Sequence, residues 1–455
     1  MNISLLQWLC CPFCAGNLNP CGTDQIEGEL EYDILTCHCG RYPIVAGIPV
    51  LKRGAIGTAR QTADDVTGLI KSGRYREALL SVILPPPPAG PALAPAWMQS
   101  LPSVRGINRL KRLAHQRASR RWREQAAAFL TDPGDQVTAC DLLDFYYHRS
   151  GFKMTNAYGY FAFRFGQPRH LVALSFTSLI HTPRKPILDL ACGYGHITRS
   201  LVRRAKGQPV IGADPNFIGL YVAKTFIAPE AEYVCCVTDA SLPFRNGSFS
   251  TAFCSDAFHL FINKATCFRE LKRLTHENGL IMLVVLRNAL SKYPYAGEPL
   301  SPEGYQGLLA DMPHCLVPDR AVLTRYLQKQ GPPLARSSEI GRLAYEPTLS
   351  VVASHRHEVF QDYGSFQDWP HAEGRLGLNP LYTEERRDGL GNLHLRRTFP
   401  TAWYEEHNAE CKQYLPEAVS VDSKVLSHLA QGERTPEVEK LIEQCVVLGM
   451  PARYR

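Results

Sequence analysis

The sequence predicts an α/β fold built on a mostly parallel sheet, and two patterns carry this prediction. Short apolar strands alternate with helical segments over residues 187–287, as happens when helices cover both faces of a parallel sheet. The first strand, 187–190, leads into a turn that contains Gly193 and Gly195. Two glycines let the chain turn tightly and leave main-chain amides open to a ligand at the start of the next helix. We therefore expect a cofactor site at this turn.

The composition excludes several classes of protein. The chain has 455 residues, of which 45% are apolar and 20% charged, and this is typical of a globular protein with two or three domains. No apolar run reaches the roughly 18 residues of a transmembrane helix, and residues 1–9 lack the pattern of a secretory signal. Several cysteines, among them Cys235, Cys236 and Cys254, fall in predicted core strands, which favours a reducing compartment. We expect a cytoplasmic protein.

Basic residues are concentrated in one segment. Residues 105–123 hold eight Lys or Arg and no acid, whereas the whole chain has 50 Lys or Arg against 43 Asp or Glu. Apolar residues recur in this segment at roughly helical spacing, so we expect a basic amphipathic helix. Such a helix can bind RNA, another anionic partner or a membrane surface, or it can pack on the next domain as a solvated helix. A stiff proline-rich linker at 85–88 precedes it.

Two close pairs of cysteines lie 22 residues apart near the N-terminus. Each pair falls on an expected tight turn, so four thiolates can converge on one tetrahedral zinc ion. A segment this small needs such a metal to fold, and four protein ligands leave no open position for catalysis. We therefore expect structural zinc. The predicted ligands are Cys11, Cys14, Cys37 and Cys39, with Cys10, Cys21 and His38 as substitutes.

Residues 5–52 resemble a known zinc-binding family. The resemblance rests on the C-P-x-C motif, the second cysteine pair, Y-P-I at 42–44 and G-I-P-V-L at 47–51. The activator subunit of tRNA methyltransferases belongs to this family, whose members often serve methyltransferases as partners or within the same chain. The resemblance implies a zinc ribbon that works together with a methyltransferase domain.

Acidic residues fall where the predicted strands end. Asp189 lies in the first strand, Asp214 ends the second, Asp239 follows the third and Asp256 follows the fourth. Ligands of parallel sheets bind at the carboxyl ends of the strands, so these side chains are expected to share one site. A carboxylate at the end of the second strand can accept hydrogen bonds from both ribose hydroxyls of a nucleoside.

The turn itself narrows the choice of cofactor. The third glycine of a dinucleotide motif is replaced by Thr198, and the lysine of a P-loop is absent. A nucleoside without phosphates therefore fits better than a dinucleotide or a nucleoside triphosphate. S-adenosylmethionine is such a nucleoside, and its positively charged sulfonium favours a nearby acid such as Asp189.

Residues 187–287 resemble the class I S-adenosylmethionine-dependent methyltransferases. The resemblance is carried by D-x-x-C-G-x-G at 189–195, the D-A-S-L-P-F phrase that starts at Asp239, and E-L-x-R-L with a following N-G-L at 270–280. It implies a Rossmann-like, mostly parallel sheet that binds S-adenosylmethionine. The cofactor-binding residues it implies are Asp189, Ala191, Gly193, Gly195, Asp214, Asp239, Ala240 and Ser255.

The acceptor is less clearly marked. Family members that methylate amino groups of nucleic acid or glutamine usually carry an N/D-P-P-Y/F loop after the fourth strand. This chain has S-D-A-F-H at 255–259 instead, which is more like the small-molecule branch. Asp256 and His259 lie where an acceptor proton could be removed, and histidine is the usual general base near neutral pH. The alternative is that His259 is a hydrogen-bonded structural residue.

Two further regions could shape the acceptor site. Residues 146–165 are rich in Tyr and Phe and could form a lid over the pocket or pack in the core of the domain. The C-terminal tail also contains many aromatic residues, which either form a core or line a pocket, and it is expected to end in a helix over 436–448.

These observations define an expected organisation. The segments are a zinc-ribbon-like domain at 1–54, a helical segment with the linker and basic helix at 55–139, a methyltransferase domain at 140–290 and an α-rich C-terminal extension for acceptor binding or interaction at 291–455. The expected activity is methyl transfer from S-adenosylmethionine to a small-molecule or biosynthetic acceptor. Two rivals stay open: a methyltransferase of RNA or of a translation protein that uses the zinc domain and basic helix for binding, and a non-catalytic scaffold.

Overall fold

A computed structural model describes most of the chain. The described residues are 1–22, 28–56, 61–84, 96–102, 104–131, 134, 136–149, 155–181, 183–291, 297–365 and 370–455. The proline-rich linker expected at 85–88 lies outside them. Within these ranges, no helix has the length and apolar character needed to cross a membrane.

The N-terminal segment folds around a small antiparallel sheet. Its strands, in spatial order, are β1 (Asn19–Pro20), β2 (Asp33–Cys37), β3 (Gly40–Val45) and β4 (Ile48–Pro49). Two helices follow, α1 (Ala63–Lys71) and α2 (Tyr75–Ile83). Helix α1 starts at a capping box in which Thr62 and Asp65 satisfy each other's main-chain amides. It packs on β3 and α2 through buried side chains such as Val66.

The expected basic helix is confirmed as part of a longer one. After the short helix α3 (Ala96–Gln99), helix α4 (Arg105–Thr131) runs for 27 residues. Leu110 and Leu113 are 60% and 47% exposed, so its N-terminal half presents apolar as well as basic side chains to solvent. The C-terminal half is anchored by Ala126 and Leu130, which are buried in the main core.

A seven-stranded sheet forms the centre of the molecule. Its strands are β5 (Ile187–Leu190), β6 (Val210–Asp214), β7 (Glu232–Cys235), β8 (Phe249–Ser255), β9 (Thr275–Arg287), β10 (His314–Pro318) and β11 (Thr348–Ala353). They lie in the order β10, β11, β9, β8, β5, β6, β7, and the last five of these are parallel to one another. Strand β11 is antiparallel to both β9 and β10. The predicted α/β fold with a mostly parallel sheet is therefore confirmed.

Helices cover both faces of this sheet. The helices that pack most closely on its strands are α7 (Pro168–Phe176), α8 (His196–Arg204), α9 (Phe217–Val222), α10 (Lys264–Leu274) and α12 (Asp319–Leu327). The other helices of this part of the chain are α5 (Ala139–Asp144), α6 (Thr155–Ala162), α11 (Pro302–Leu308) and α13 (Ile340–Leu343). Successive side chains of a strand point to opposite faces, and in β5 Ile187 packs in one buried cluster while Leu188 and Leu190 pack in the other. The central strands are thus apolar on both sides.

The sheet continues past residue 290, where the cofactor domain was expected to end. Strands β10 and β11 complete it, so the first part of the C-terminal extension belongs to the same layer of structure. The remainder mixes helices with short strands. It comprises β12 (Arg375–Leu378), β13 (Tyr382–Arg387), β14 (Leu393–Arg397), β15 (Ala418–Val421) and β16 (Val447–Met450), with α14 (Ala402–His407), α15 (Cys411–Tyr414), α16 (Ser423–Gln431) and α17 (Pro436–Glu443).

The helix expected over 436–448 was wrong in its second half. Helix α17 ends at Glu443, and β16 then pairs antiparallel with β12. Val446 and Val447 are β-branched and fully buried, which suits a strand better than a helix end. The helical pattern therefore holds only over residues 436–443, and the chain changes to a strand after them.

The N-terminal sheet covers one edge of the central sheet. Val50 forms a parallel bridge with Cys235, the last residue of β7, and the amide of Leu51 donates to the Cys235 carbonyl at 2.8 Å. The N-terminal segment also contacts the connection between β7 and β8, where the amide of Cys10 donates to the carbonyl of Pro243 at 3.0 Å. The cysteine-rich segment therefore satisfies main-chain groups that an edge strand would otherwise expose.

Candidate functional site

A cavity of about 500 Å³ opens at the carboxyl ends of β5, β6 and β8, within the size range of roughly 300–1,000 Å³ that small-molecule sites have. Its wall contains the predicted residues Asp189, Ala191, Gly193, Asp214, Asp239, Ser255 and Asp256. Three other predicted residues are not part of the wall, namely Gly195, Ala240 and His259. The strand-end acids therefore share one site, as their places in the sequence predicted.

The glycine turn between β5 and α8 has a left-handed backbone at both glycines. The φ angles are 55° at Gly193 and 78° at Gly195. At Gly195 a Cβ atom would lie 2.8 Å from the Cβ of Ala223, so this glycine allows the turn to pack against the neighbouring helix. At Gly193 no protein atom lies within 4 Å of the Cβ position, and the residue lines the cavity. The turn thus leaves space for a ligand beside Gly193.

Asp214 fixes this turn from the end of β6. One carboxylate oxygen accepts from the amide of Gly193 at 2.9 Å, and the other accepts from the amide of Asn216 at 2.8 Å. The side chain is buried, which raises its pKa, and the two amide donors act in the opposite direction. Each oxygen keeps a further lone pair, so the carboxylate can still accept hydroxyl donors from a ligand in the cavity.

Asp189 is the most deeply buried acid of the wall, with 2% of its surface exposed. Its only hydrogen-bond donor among the described residues is the hydroxyl of Thr198, at 2.6 Å. Burial raises the pKa of Asp189 to about 7, although the Thr198 hydroxyl favours the charged form. The residue that replaces the third glycine of a dinucleotide motif therefore supports the acid at the turn.

Asp239 and Ser255 complete the wall. The Asp239 carboxylate accepts from the amide of Ile262 at 3.2 Å, which ties the loop after β7 to the loop after β8. The hydroxyl oxygen of Ser255 is buried and has no hydrogen-bond partner in the described part of the chain. A buried polar atom without a partner is costly, so a ligand group that pairs with Ser255 would remove that cost.

Three arginines surround Asp256 beside the cavity. Its carboxylate lies 3.1 Å from Arg164 Nη1, 3.4 Å from Arg169 Nη1 and 3.4 Å from Arg287 Nη2. Burial acts to raise the pKa of Asp256, but Arg169, Arg287 and Arg164 outweigh it and hold the pKa well below its usual range. The carboxylate is ionised at any ordinary pH. Asp256 has a left-handed backbone, with φ of 55°, which turns its side chain toward the arginines.

Sequence reasoning missed these arginines. Arg164 belongs to a short 3-10 turn, Arg164–Gly166, and Arg169 belongs to α7, both before the first strand of the sheet. Neither lies in a recognisable motif. The packing of α7 on β9 places this part of the chain beside the strand end, where Asp256 has its left-handed backbone.

His259 lies behind the wall rather than in it. It belongs to a 3-10 turn, Phe258–Leu260, and is 5% exposed. Burial lowers the pKa of His259 to about 4, and the arginines act in the same direction while Asp256 opposes them. The imidazole is therefore neutral near pH 7. Its main-chain carbonyl accepts from the amide of Glu298 at 2.8 Å, and this hydrogen bond ties the chain after β9 to the 3-10 turn.

Aromatic residues connect the C-terminus to the site. The Tyr454 hydroxyl lies 3.1 Å from Nε2 of His196, the first residue of α8, and it donates to the carbonyl of Phe161. Tyr194, inside the glycine turn, shares a hydrogen bond with Tyr147. Residues 146–165 contribute both to the cavity and to the core, and the expectation that they form a lid stays a prediction. Tyr160 lines the cavity and is 36% exposed, whereas Phe161 and Tyr147 are buried in the core.

The four predicted metal ligands also come together. Their sulfur atoms all lie within 4.8 Å of one another. The Sγ atom of Cys39 is 3.4 Å from those of Cys11 and Cys37, and Cys14 is 3.9 Å from Cys37. A tetrahedral zinc with Zn–S bonds of about 2.3 Å places its sulfurs roughly 3.8 Å apart, so the donor set fits this metal. The substitutes Cys10, Cys21 and His38 are not in the cluster.

The sheet order, the open glycine turn and the strand-end acids are the arrangement that the resemblance of residues 187–287 to class I S-adenosylmethionine-dependent methyltransferases implies. Comparison with known proteins agrees: residues 188–283 match the family described as "Methyltransferase domain".

One curated relative is the malonyl-[acyl-carrier protein] O-methyltransferase of Legionella pneumophila. It is 30% identical over 105 residues, which are 23% of this chain and 37% of the relative. The chain therefore matches about a third of the length of that protein. The zinc-ribbon-like segment and the C-terminal extension fall outside residues 188–283, which match the family model.

Two solved structures match part of the chain. One is an S-adenosylmethionine-dependent methyltransferase from Mesorhizobium loti, with 16% identity, 39% of this chain and 92% of that chain covered, and a TM-score of 0.29. The other is the geranyl diphosphate C-methyltransferase of Streptomyces coelicolor, with 16% identity, 46% and 78% covered, and a TM-score of 0.28.

Proposed function

We propose that this chain transfers the methyl group of S-adenosylmethionine to a small-molecule or biosynthetic acceptor, and that its cysteine cluster holds a structural zinc ion. One observation carries the first part of the proposal. A single cavity collects the open glycine turn and the acids of three strand ends, Asp189, Asp214 and Asp239. This is the set of groups that a nucleoside with a positive charge requires.

In this proposal each acid of the wall contacts a different part of the cofactor. Asp214 would accept the ribose hydroxyls, Asp239 would lie next to the adenine amine, and Asp189 would face the positively charged end. The space left open at Gly193 and the unpartnered hydroxyl of Ser255 support the fit, since both lie in the wall. When bound, the cofactor supplies an electrophilic methyl group on a positively charged sulfur.

The two residues expected to remove a proton have other roles in this proposal. Both oxygens of Asp256 face arginines, so we assign this carboxylate to holding the arginines in place. His259 stands behind the wall, and its pKa of about 4 makes it a weak base. Much of the rate would then come from in-line positioning of acceptor and methyl group.

The zinc ion would act on structure alone. Four cysteine ligands fill a tetrahedral site and leave no position for water or substrate. The cluster belongs to the segment that pairs with the edge of β7, so loss of the zinc ion would first disrupt the pairing at that edge.

Calorimetric titration tests the cofactor site. The wild-type protein should bind S-adenosylmethionine and S-adenosylhomocysteine, and Asp214→Ala should weaken both at least tenfold. Asp64→Ala, which removes an exposed carboxylate of α1, is the matched control and should leave binding unchanged. If the wild-type protein binds neither compound, or if Asp214→Ala binds them normally, the proposal is wrong.

A second candidate function has one observation in its favour. The exposed arginines of α4, such as Arg109, Arg112 and Arg117, form a basic face suited to RNA. A methyltransferase of RNA or of a translation protein could use this face and the zinc segment for binding. If the cofactor binds and no acceptor pool gains a methyl group, the chain is a scaffold without methyltransferase activity.

A further inference from the structure

The cluster of arginines at Asp256 extends the proposed function to the chemistry of the acceptor. We propose that the acceptor atom is a carboxylate oxygen, held by Arg164 of the arginine cluster (Arg164, Arg169 and Arg287), and that the product is a methyl ester. This inference rests on the proposed function, because it assumes that the cavity binds the methyl donor.

The cluster carries more positive than negative charge. Three guanidinium groups, 3%, 16% and 7% exposed at Arg164, Arg169 and Arg287, face one carboxylate that is 4% exposed. Glu346 and Glu410 line a second cavity together with Arg169 and Arg287, and none of these four residues lines the cofactor cavity. Arg164 does line the cofactor cavity, and it shares the Asp256 carboxylate with the other two arginines, so it can still pair with a further anion. Asp319 lies behind Arg287, and burial raises its pKa to about 7, so it is only partly ionised near neutral pH.

Arg164 is the member of the cluster that an acceptor can reach. It lines the cavity, and its guanidinium lies 4.6 Å from the centre of the Tyr160 ring, which also lines it. Nη1 of Arg164 donates to Gln167 and Asp256. Within the described residues these are the hydrogen bonds of this side chain, so Nε and Nη2 can bind a carboxylate in the two-pronged geometry that guanidinium groups favour.

The site offers no evident base for a neutral acceptor. Asp256 is held by the arginines, His259 is outside the wall, and Asp189 and Asp214 lie at the glycine turn. A hydroxyl or an ammonium group would have to lose a proton before or during methyl transfer. A carboxylic acid has already lost its proton at neutral pH, and neighbouring arginines keep it ionised.

The reaction then balances without a base. A carboxylate oxygen gives an electron pair to the methyl carbon, the carbon–sulfur bond breaks toward sulfur, and a methyl ester and a neutral thioether result. No proton is released or consumed. Arg164 would hold the acid through Nε and Nη2, while its Nη1 stays on Gln167 and Asp256.

Alkali treatment of labelled products tests the proposal. The full-length protein is incubated with S-adenosylmethionine that carries tritium in its methyl group and with the small-molecule fraction of a cell extract. Methyl esters release tritiated methanol in alkali, whereas methylated amines, ethers and carbon atoms keep their label. We expect the label to become volatile. Label that resists alkali overturns this inference and leaves the proposed function standing, whereas no labelled product at all overturns both.

Substitutions of Arg164, the arginine that an acceptor can reach, test whether it holds the acceptor. Arg164→Gln should lower the alkali-labile label at least tenfold in the same extract, while its affinity for S-adenosylmethionine stays within twofold and so reports an intact fold. Arg164→Lys keeps a positive charge, so its yield of alkali-labile label should lie between the yields of wild type and Arg164→Gln. Arg203→Gln, which removes an arginine 46% exposed on α8, is the matched control and should leave the yield unchanged. Equal yields from wild type and Arg164→Gln would overturn the assignment.

Discussion

The hydroxyl of Thr198 donates a hydrogen bond of 2.6 Å to the carboxylate of Asp189, inside the turn that binds the cofactor in our proposal. Because burial raises the pKa of Asp189 to about 7, the charge of this acid changes within the physiological range. Only the ionised form attracts a cationic cofactor. We therefore expect the affinity for S-adenosylmethionine to fall up to roughly tenfold between about pH 8 and pH 6, in proportion to the ionised fraction.

Titration calorimetry across this range measures the effect. Asp189→Asn should bind weakly with no pH dependence. S-adenosylhomocysteine lacks the positive sulfur and should show a shallower fall than S-adenosylmethionine in the wild-type protein. Thr198→Val removes the donor and should move the fall to higher pH. An affinity of the wild-type protein that is flat from pH 6 to pH 8 would contradict this role of Asp189.

A second buried acid makes a separate prediction about stability. The carboxylate of Asp319 accepts from the Ser350 hydroxyl at 2.6 Å, and burial raises the pKa of Asp319 to about 7. The folded pKa exceeds the unfolded one, so this group adds stability below about pH 4 and loses it as the pH rises through 7. At 1.36 kcal/mol per pKa unit, the loss is roughly 4 kcal/mol by pH 8.

Urea unfolding of Asp319→Asn at two pH values measures that loss. The amide carries no charge, so the variant should be more stable than wild type at pH 8 and should gain much less at pH 5, where only about a third of the loss has occurred. Affinity for S-adenosylmethionine should not change, because Asp319 is not in the cavity wall. A difference between variant and wild type that is the same at both pH values would refute the buried charge as its cause.

Tyr454 links the last residues of the chain to the cofactor turn. Its hydroxyl pairs with His196 and with the carbonyl of Phe161, and the side chain is 1% exposed. Tyr454→Phe leaves the carbonyl and the imidazole without this partner, which should lower the free energy of unfolding by about 1–3 kcal/mol. Because His196 begins α8 beside the cavity, we also expect weaker cofactor binding.

Chemical unfolding and calorimetry test Tyr454→Phe against a matched change. Tyr345→Phe removes a hydroxyl from a residue that is 90% exposed, and it should alter stability by less than about 0.5 kcal/mol. If both variants behave alike, the contact between Tyr454 and His196 contributes nothing to the site.

The parts of the site that the sequence predicted share one physical basis. Asp189, Asp214 and Asp239 follow from the rule that parallel strands end at the same edge, so their positions along the chain imply their meeting. The four clustered cysteines follow from local turns in the same way. In both cases the spacing within short segments decides which side chains converge.

The missed parts depend on packing between distant segments. Arg164 and Asp256 are 92 positions apart, and His196 and Tyr454 are 258 apart. Nothing in the local pattern of either member points to its partner. Strands β10 and β11 were missed as members of the central sheet for a similar reason, since a long connection that includes α11 separates them from β9 and their place depends on antiparallel pairing.

Zinc should be present at one ion per chain in the purified protein, as measured by elemental analysis. Cys37→Ser removes one of the four clustered sulfurs and should lower zinc content and thermal stability together, because metal binding and folding of this segment are coupled. Cys21→Ser changes an exposed cysteine outside the cluster and should keep both values. Full zinc content in Cys37→Ser would refute the cluster as the metal site.

Helix α4 should bind polyanions through its exposed arginines. Reversal of Arg109, Arg112 and Arg117 to Glu removes three such contacts, and affinity for a tRNA mixture should fall steeply. In the wild-type protein the logarithm of the binding constant should decrease with the logarithm of salt concentration. Three contacts to single strands would give a slope of about −2, and further contacts a steeper one.

A second triple variant separates the helix from overall charge. Arg41→Glu, Lys71→Glu and Lys424→Glu change the net charge by the same amount at exposed positions on other elements. This variant should retain most of the affinity and salt dependence of wild type, because its residues do not form one face. If both triple variants lose binding equally, the interaction reflects net charge and α4 is an ordinary solvated helix. Retention of full affinity by the α4 variant would lead to the same conclusion.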